Sequence, residues 1–375
     1  MSTTINQPST RLLAATRKGL FQVDRGPAGW SIAKVHFLAE NFALAMVDPR
    51  DGAWYATIDH GHFGTKLHRS DDAGETWTEV GVPEYPPHPD GTHDQDAFGR
   101  PIPWKLNKIW ALTPGLPSQP GRIWAGTLPG GLFKSDDRGA TWSLVESLWF
   151  MDARKQWTGG GADLPGMHSV LVDPRDGSLL VAISSGGVWE SRDDGATWQS
   201  RCKGLRADYA PPELVEDPSS QDPHCVVRSP ADPDRIYMQH HNGIFMSRDN
   251  AASWTEITGV SPSVFGFPVA AHPLEADTAW FVPAVKDMER IPKDAKVVVN
   301  RTKDACGTFE TFSKGLPGEH AYDIVYRHAL DVDASGSRLA FGSSTGSLWA
   351  SEDGGESWIT IGEHLPPVYA VRFVK

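Results

Sequence analysis

A chain of 375 residues carrying 37 Gly, 29 Pro and 15 Trp is rich in turn formers and large apolar plugs, which points to many short strands. Its formal charge of −12 excludes a general nucleic-acid binder, because phosphate binding needs a basic surface. No run of about eighteen apolar residues is present to span a membrane, and Cys202, Cys225 and Cys306 are too few and too scattered to staple a fold.

Taken from the start, MSTTINQPSTRLLAAT lacks an apolar core of signal-peptide length, so a cytoplasmic location is expected. RLLAATRKGLFQVD and WSIAKV, at about 11–36, read as the second, third and fourth strands of a unit that has no first strand. Six units follow, near 42–80, 107–147, 168–203, 224–259, 265–314 and 327–362. The unit from His168 is the clearest. MHSVLVDP, SLLVAIS, GGVWESRDDG and ATWQSR are four short strands divided by Pro, Gly and Asp turns, which is one propeller blade. The terminal VYAVRFVK, within about 367–375, reads as a first strand with nothing after it. The expected fold is therefore all-β, a single-domain seven-bladed β-propeller over 1–375. Its C-terminal strand completes the N-terminal blade and so removes an open sheet edge.

Each unit from the second onward carries one motif: SDDAGETW from Ser70, SDDRGATW from Ser135, SRDDGATW from Ser191, SRDNAASW from Ser247, TKDACGTF from Thr302 and SEDGGESW from Ser351. The spacings are 65, 56, 56, 55 and 49 residues. Its physical reading is a turn between antiparallel strands. The Asp accepts hydrogen bonds from turn amides, Gly tolerates positive φ, and Trp plugs the start of the next strand. This pattern is the Asp box. The chain resembles the BNR-repeat propellers, a sialidase-like and glycosyl hydrolase-like superfamily that includes sialidases, xyloglucanases, sortilin-type receptors and a photosystem assembly factor. The resemblance implies either an enzyme or a binding protein.

The boxes join third to fourth strands and belong on one face of such a propeller. The other face receives long connections, including GVPEYPPHPDGTHDQDAFGRPIPWKL, WFMDARKQWTGGGADLPG and RADYAPPELVEDPSSQDP, and long insertions on one face mark a binding face. Trp104, Trp149 and Trp157 in these connections either stack on a ligand or pin the loops down. First strands surround the central channel. Aligned on Pro174, Pro230 and Ala334, they bring His168, His224 and His328 into one register at the channel mouth, with Lys108 and Phe267 as equivalents. Three imidazoles leaving an open position suit a divalent ion such as zinc, manganese or iron. The alternative is a ring of hydrogen-bonding side chains around channel water.

The leading expectation is a hydrolase or lyase acting on a small polar or anionic substrate, carbohydrate included, at this mouth. His168, His224 and His328 would hold the metal, His60, His240 and His241 would move protons, and Lys105, Lys108, Arg290 and Arg327 would bind the anion. One alternative is a metal-free sialidase-like glycosidase drawing a carboxylate pair, about 5–9.5 Å apart, from Asp59, Asp94, Asp96, Asp163, Asp222, Asp287 and Glu289. The other is a non-catalytic propeller that grips a protein partner.

Overall fold

A computed structural model describes residues 7–88, 94–96, 99–159, 164–286 and 288–374. Seven four-stranded antiparallel sheets are arranged as the blades of a propeller. Blade 1 contains Arg11–Thr16, Gly19–Gly26 and Gly29–His36, and its innermost strand is the C-terminal Val368–Val374. That strand pairs antiparallel with Arg11–Thr16, from Arg11 opposite Val374 to Thr16 opposite Val368, so the ring closes as expected. The innermost strands of blades 2 to 7 are Phe42–Val47, Lys108–Pro114, Met167–Val172, Pro223–Arg228, Gly266–Ala271 and Leu330–Val332.

Strand alternation sends side chains to both sheet faces, and each face packs on the neighbouring blade. Trp280 and Val299 of blade 6 thus interleave with Phe341 and Trp349 of blade 7, and Trp124 of blade 3 packs with Leu179 and Val181 of blade 4. The repeated turns share one hydrogen-bond pattern. In blade 4, Ser191 Oγ accepts from the Gly195 amide at 2.9 Å and donates to Asp193, while Asp193 accepts from the Thr197 amide and hydroxyl at 2.8 and 2.6 Å. The fifth position of the turn has positive φ, and at Gly74 (φ +85°) a Cβ would meet the Trp54 ring at 2.7 Å.

In blades 3, 4 and 5 the tryptophan that ends the motif ties its blade to the one before. Trp142 Nε1 donates to the Gly81 carbonyl, Trp198 Nε1 to Ser147 Oγ and Trp254 Nε1 to the Arg201 carbonyl. Ser191 is 1 % exposed, so Ser191→Ala strands a buried amide. It is expected to cost about 1–3 kcal/mol in denaturant unfolding, and an unchanged midpoint would remove this turn from the sources of stability.

Six innermost strands carry a bulge at the mouth end. The register slips at Tyr369 in blade 1, Ala43 in blade 2, Trp110 in blade 3, His168 in blade 4, His224 in blade 5 and across Phe267–Pro268 in blade 6. A bulge re-aims its side chain out of the strand alternation. Trp110, not Lys108, is therefore the blade 3 equivalent of His168 and His224. The register that chose Lys108 was two residues off, because in blade 3 Pro114 belongs to the strand itself.

Among the long connections, Glu146–Trp149 forms a short helix and Asp152–Gln156 a 3-10 turn. Trp149 and Trp157 are 1 % and 0 % exposed, so both pin the connection against the blades.

Candidate functional site

The mouth of the channel holds a cavity of about 300 Å³. Its wall is built from blades 1, 2, 3, 6 and 7, and includes Asp59, Lys108, Trp110, Phe267, Arg327 and Tyr369. Arg290, on the loop between the second and third strands of blade 6, reaches the same wall, with its guanidinium carbon 5.7 Å from the Phe267 centroid. Lys108 Nζ sits 3.3 Å from Asp59 Oδ2. Below this cavity a second one of about 500 Å³ continues down the channel, and Trp110, Arg327 and His328 line both.

Arg327 is the unusual group. It is 9 % exposed, and its guanidinium carbon lies 4.9 Å from the Trp110 centroid and 5.5 Å from that of Phe267. Nη2 donates to Ser184 Oγ at 3.1 Å, whereas Nε is buried with no partner among the described residues. No described carboxylate lies within the 4 Å of an ion pair. Burial lowers the pKa of Arg327, partly offset by Asp222 nearby; a guanidinium nevertheless stays cationic in proteins. A buried cation between two aromatic faces, with no ion pair among the described residues and at the base of an open cavity, is arranged to receive an oxyanion.

The three histidines of the expected metal centre do not converge. His168 Nε2 lies 2.7 Å from the Pro223 carbonyl and its Nδ1 lies 3.0 Å from Ser169 Oγ, so both ring nitrogens are engaged. His328 Nε2 lies 2.8 Å from the His168 carbonyl, and His224 Nδ1 lies 2.8 Å from the Gly266 carbonyl. A carbonyl only accepts, so each of these nitrogens carries the proton. The physical reason is the channel itself. Innermost strands present backbone carbonyls with no ladder partner on that side, and the imidazoles satisfy them. Burial is the main force lowering the pKa of all three, and for His328 it reaches about 3, with Arg372 and Arg327 adding to the fall.

Only His224 retains a second nitrogen aimed at another metal-binding group. Its Nε2 faces Asp222 Oδ2 at 3.7 Å, and His241 Nδ1 faces the same oxygen at 3.6 Å. These three are the one His/Asp group of metal-binding geometry among the described residues. Burial opposes the charge on Asp222, yet its carboxyl is held below the usual range, with the Arg327 cation among the causes.

The remaining expected residues separate. His240 is fully buried, with its Nε2 accepting from the Asp222 amide at 2.9 Å, and is driven by burial to about 3, so it does not act as an exposed proton carrier. His60 lies at the rim, 3.5 Å from Glu40 and against Phe63. Lys105 is exposed on the 81–107 connection, outside the cavity wall. Of the glycosidase carboxylates, Asp163 and Asp287 lie outside the described residues. Asp94 is held by Trp104 and Arg154, Asp96 by Arg100, and Asp59 is the carboxylate on the described mouth-cavity wall. Trp110 and Ser184 were missed. The bulge at Trp110 breaks the strand alternation that would otherwise mark it, and nothing in the sequence marks Ser184.

No family model matches the chain, and no curated relative matches it. Among solved structures it is similar to the GH74 xyloglucanase from Xanthomonas campestris (TM-score 0.61, 16 % identity, 100 % of this chain and 55 % of that one). It is also similar to an ancestral GH74 enzyme (TM-score 0.58, 16 % identity, 86 % of this chain and 38 % of that one). YCF48 bound to a D1 peptide aligns with a TM-score of 0.50 at 14 % identity, over 99 % of this chain and 96 % of that one. The chain thus spans 38 % and 55 % of the two GH74 enzymes. At such identities the likeness establishes the propeller fold. No helix among the described residues is long and apolar enough to cross a membrane.

Proposed function

We propose that the mouth cavity is the active site of a hydrolase whose small polar substrate carries a carboxylate or comparable oxyanion, with Arg327 as the anchor. One observation carries this reading: Arg327 is nine-tenths buried at the cavity base with an Nε that has no partner among the described residues. Trp110 and Phe267 flank the anion, and Lys108 and Arg290 add positive charge at the wall. Asp59 is the proton-transfer group within the cavity, and His60 serves at the rim. A chain of the BNR-repeat kind fits this role, since the superfamily it resembles includes glycosyl hydrolases. Cytoplasmic, single-domain action remains part of the proposal.

Arg327→Met supplies the test. Burying a guanidinium without an ion pair costs several kcal/mol, so the variant is expected to melt no lower than the parent. Charge-assisted hydrogen bonds are worth about 1.5–3 kcal/mol each, so affinity for the anion should fall by about 100-fold. Thermal-shift screening of uronic acids, sialic acid, simple carboxylates and neutral glycosides reads both effects. A lower melting temperature with unchanged ligand response would make Arg327 structural and overturn the reading. Stabilisation by peptides alone would transfer the site to protein binding, the activity class represented by YCF48 with its bound peptide.

A further inference from the structure

We infer that Asp222, His224 and His241 form a site for one divalent transition-metal ion of the zinc or cobalt class, separate from the Arg327 anchor. The site stands at the junction of blades 4, 5 and 6. Asp222 ends the 201–222 connection, His224 is the bulged residue of the first strand of blade 5, and His241 follows the second strand of that blade. The segments are fastened together by the backbone: the His241 amide donates to the Asp222 carbonyl at 2.9 Å.

The argument rests on where the protons are. His224 Nδ1 donates to the Gly266 carbonyl, so its Nε2 presents a lone pair toward Asp222 Oδ2. At 3.7 Å the two atoms are too far apart for a hydrogen bond. His241 Nδ1, at 3.6 Å, also stands beyond hydrogen-bond distance of the same oxygen. The three ligand atoms lie within 4.8 Å of one another. Ligands on a tetrahedral zinc ion with bonds of about 2.1 Å stand about 3.4 Å apart, so small side-chain movements close the site.

Outer contacts already orient the ligands. The Gly266 carbonyl fixes the His224 tautomer, and the Ser185 amide holds Asp222 Oδ1 at 3.1 Å. A metal-bound histidine characteristically donates its other N–H in this way. The Phe267 ring stacks on His224 at 4.6 Å and 16°, while Arg327 and Arg290 also lie over that ring. The phenyl group therefore stands between the ion site and the anion cavity. On the other side the His241 side chain is 15 % exposed beside Tyr209, which supplies the approach for an ion. Two nitrogens and one carboxylate form a borderline donor set that leaves at least one position open.

The test uses the full chain stripped with chelator, then titrated with Zn²⁺ and with Co²⁺. One equivalent of Zn²⁺ should bind, Co²⁺ should bring ligand-field bands in the visible, and Zn²⁺ should raise the melting temperature reversibly. His241→Ala and Asp222→Asn should each weaken Zn²⁺ by at least about 100-fold, as expected when a ligand rather than an outer contact is removed. His364→Ala, an exposed histidine elsewhere, should bind as the parent does. Absence of a saturable equivalent in the parent, or parental affinity in His241→Ala, would overturn the site. Should His241→Ala fail to fold, the Co²⁺ spectrum of the parent decides alone, because a site without nitrogen ligands gives only weak octahedral bands. Metal affinity is the readout throughout, so failure of the Arg327 anchor leaves this result standing.

Discussion

A chain ending at Pro367 is expected to lose cooperative folding, although only the last strand has been removed. Val368, Val371 and Phe373 are 0 %, 0 % and 7 % exposed. Full burial of such side chains is worth about 1.5–3 kcal/mol each, so the three together supply about 5–9 kcal/mol. The net stability of a domain is about 5–15 kcal/mol, and the loss is therefore comparable with the whole.

The truncation also strips the ladder from Arg11–Thr16 and leaves that strand as an open edge. It removes the Val371 amide from the His328 carbonyl and the Phe373 amide from Asp331 Oδ2, 2.9 and 2.8 Å away. Size-exclusion chromatography should show aggregated or expanded protein, and calorimetry no sharp transition. A monomer melting within a few degrees of the full chain would mean that ring closure contributes little.

The second large effect is a steep loss of stability in mild acid. His168 and His328 are buried beside arginine side chains, and both are held unprotonated. Burial comes first for each, followed by Arg327 for His168 and by Arg372 for His328. An unfolded imidazole takes its proton near pH 6.5, whereas His328 resists until about 3. Between those values the unfolded chain binds more protons, so stability falls as pH falls. Each such group costs about 1.4 kcal/mol per pH unit, and the pair about 4 kcal/mol between pH 6.5 and 5.

Denaturant titrations followed by tryptophan fluorescence should therefore give midpoints that drop sharply below pH 6.5. A midpoint flat from pH 7 to 5, declining only where carboxylates titrate, would show that the channel histidines take protons while folded. Because Arg327 helps to keep His168 neutral, Arg327→Met should leave the onset near pH 6.5 unchanged and make the decline shallower.

The fold was legible because its signal is local and repeated. Ser191, Asp193, Thr197 and Trp198 make their turn from atoms a few residues apart, and six copies at regular spacing leave little choice of architecture. Closure by Val368–Val374 followed from an unmatched strand at each end of the chain. Placement of Lys108, Arg290 and Arg327 around one mouth was likewise accessible, since loops on one face of a propeller converge.

The chemistry at the mouth was less legible, for reasons visible in particular residues. The register of His168, His224 and His328 correctly brought them to the channel, but direction depends on bulges and on which carbonyl each ring meets. Asp222 stood among seven carboxylates with nothing to single it out, and its two imidazole neighbours are joined to it by chain reversal within blade 5. Trp110 was displaced by a proline that sits in a strand where its counterparts end one.

By itself, then, the sequence determined the blade count, the antiparallel sheets and the closing strand, because these depend on alternation and on turns spanning a few residues. Tertiary structure alone decided that three histidines cap backbone carbonyls, that Arg327 stands buried without an ion-paired carboxylate among the described residues, and that Asp222 meets His224 and His241. Those outcomes depend on side-chain direction over distances of a few ångströms between separate blades, and no periodicity along the chain encodes such a direction.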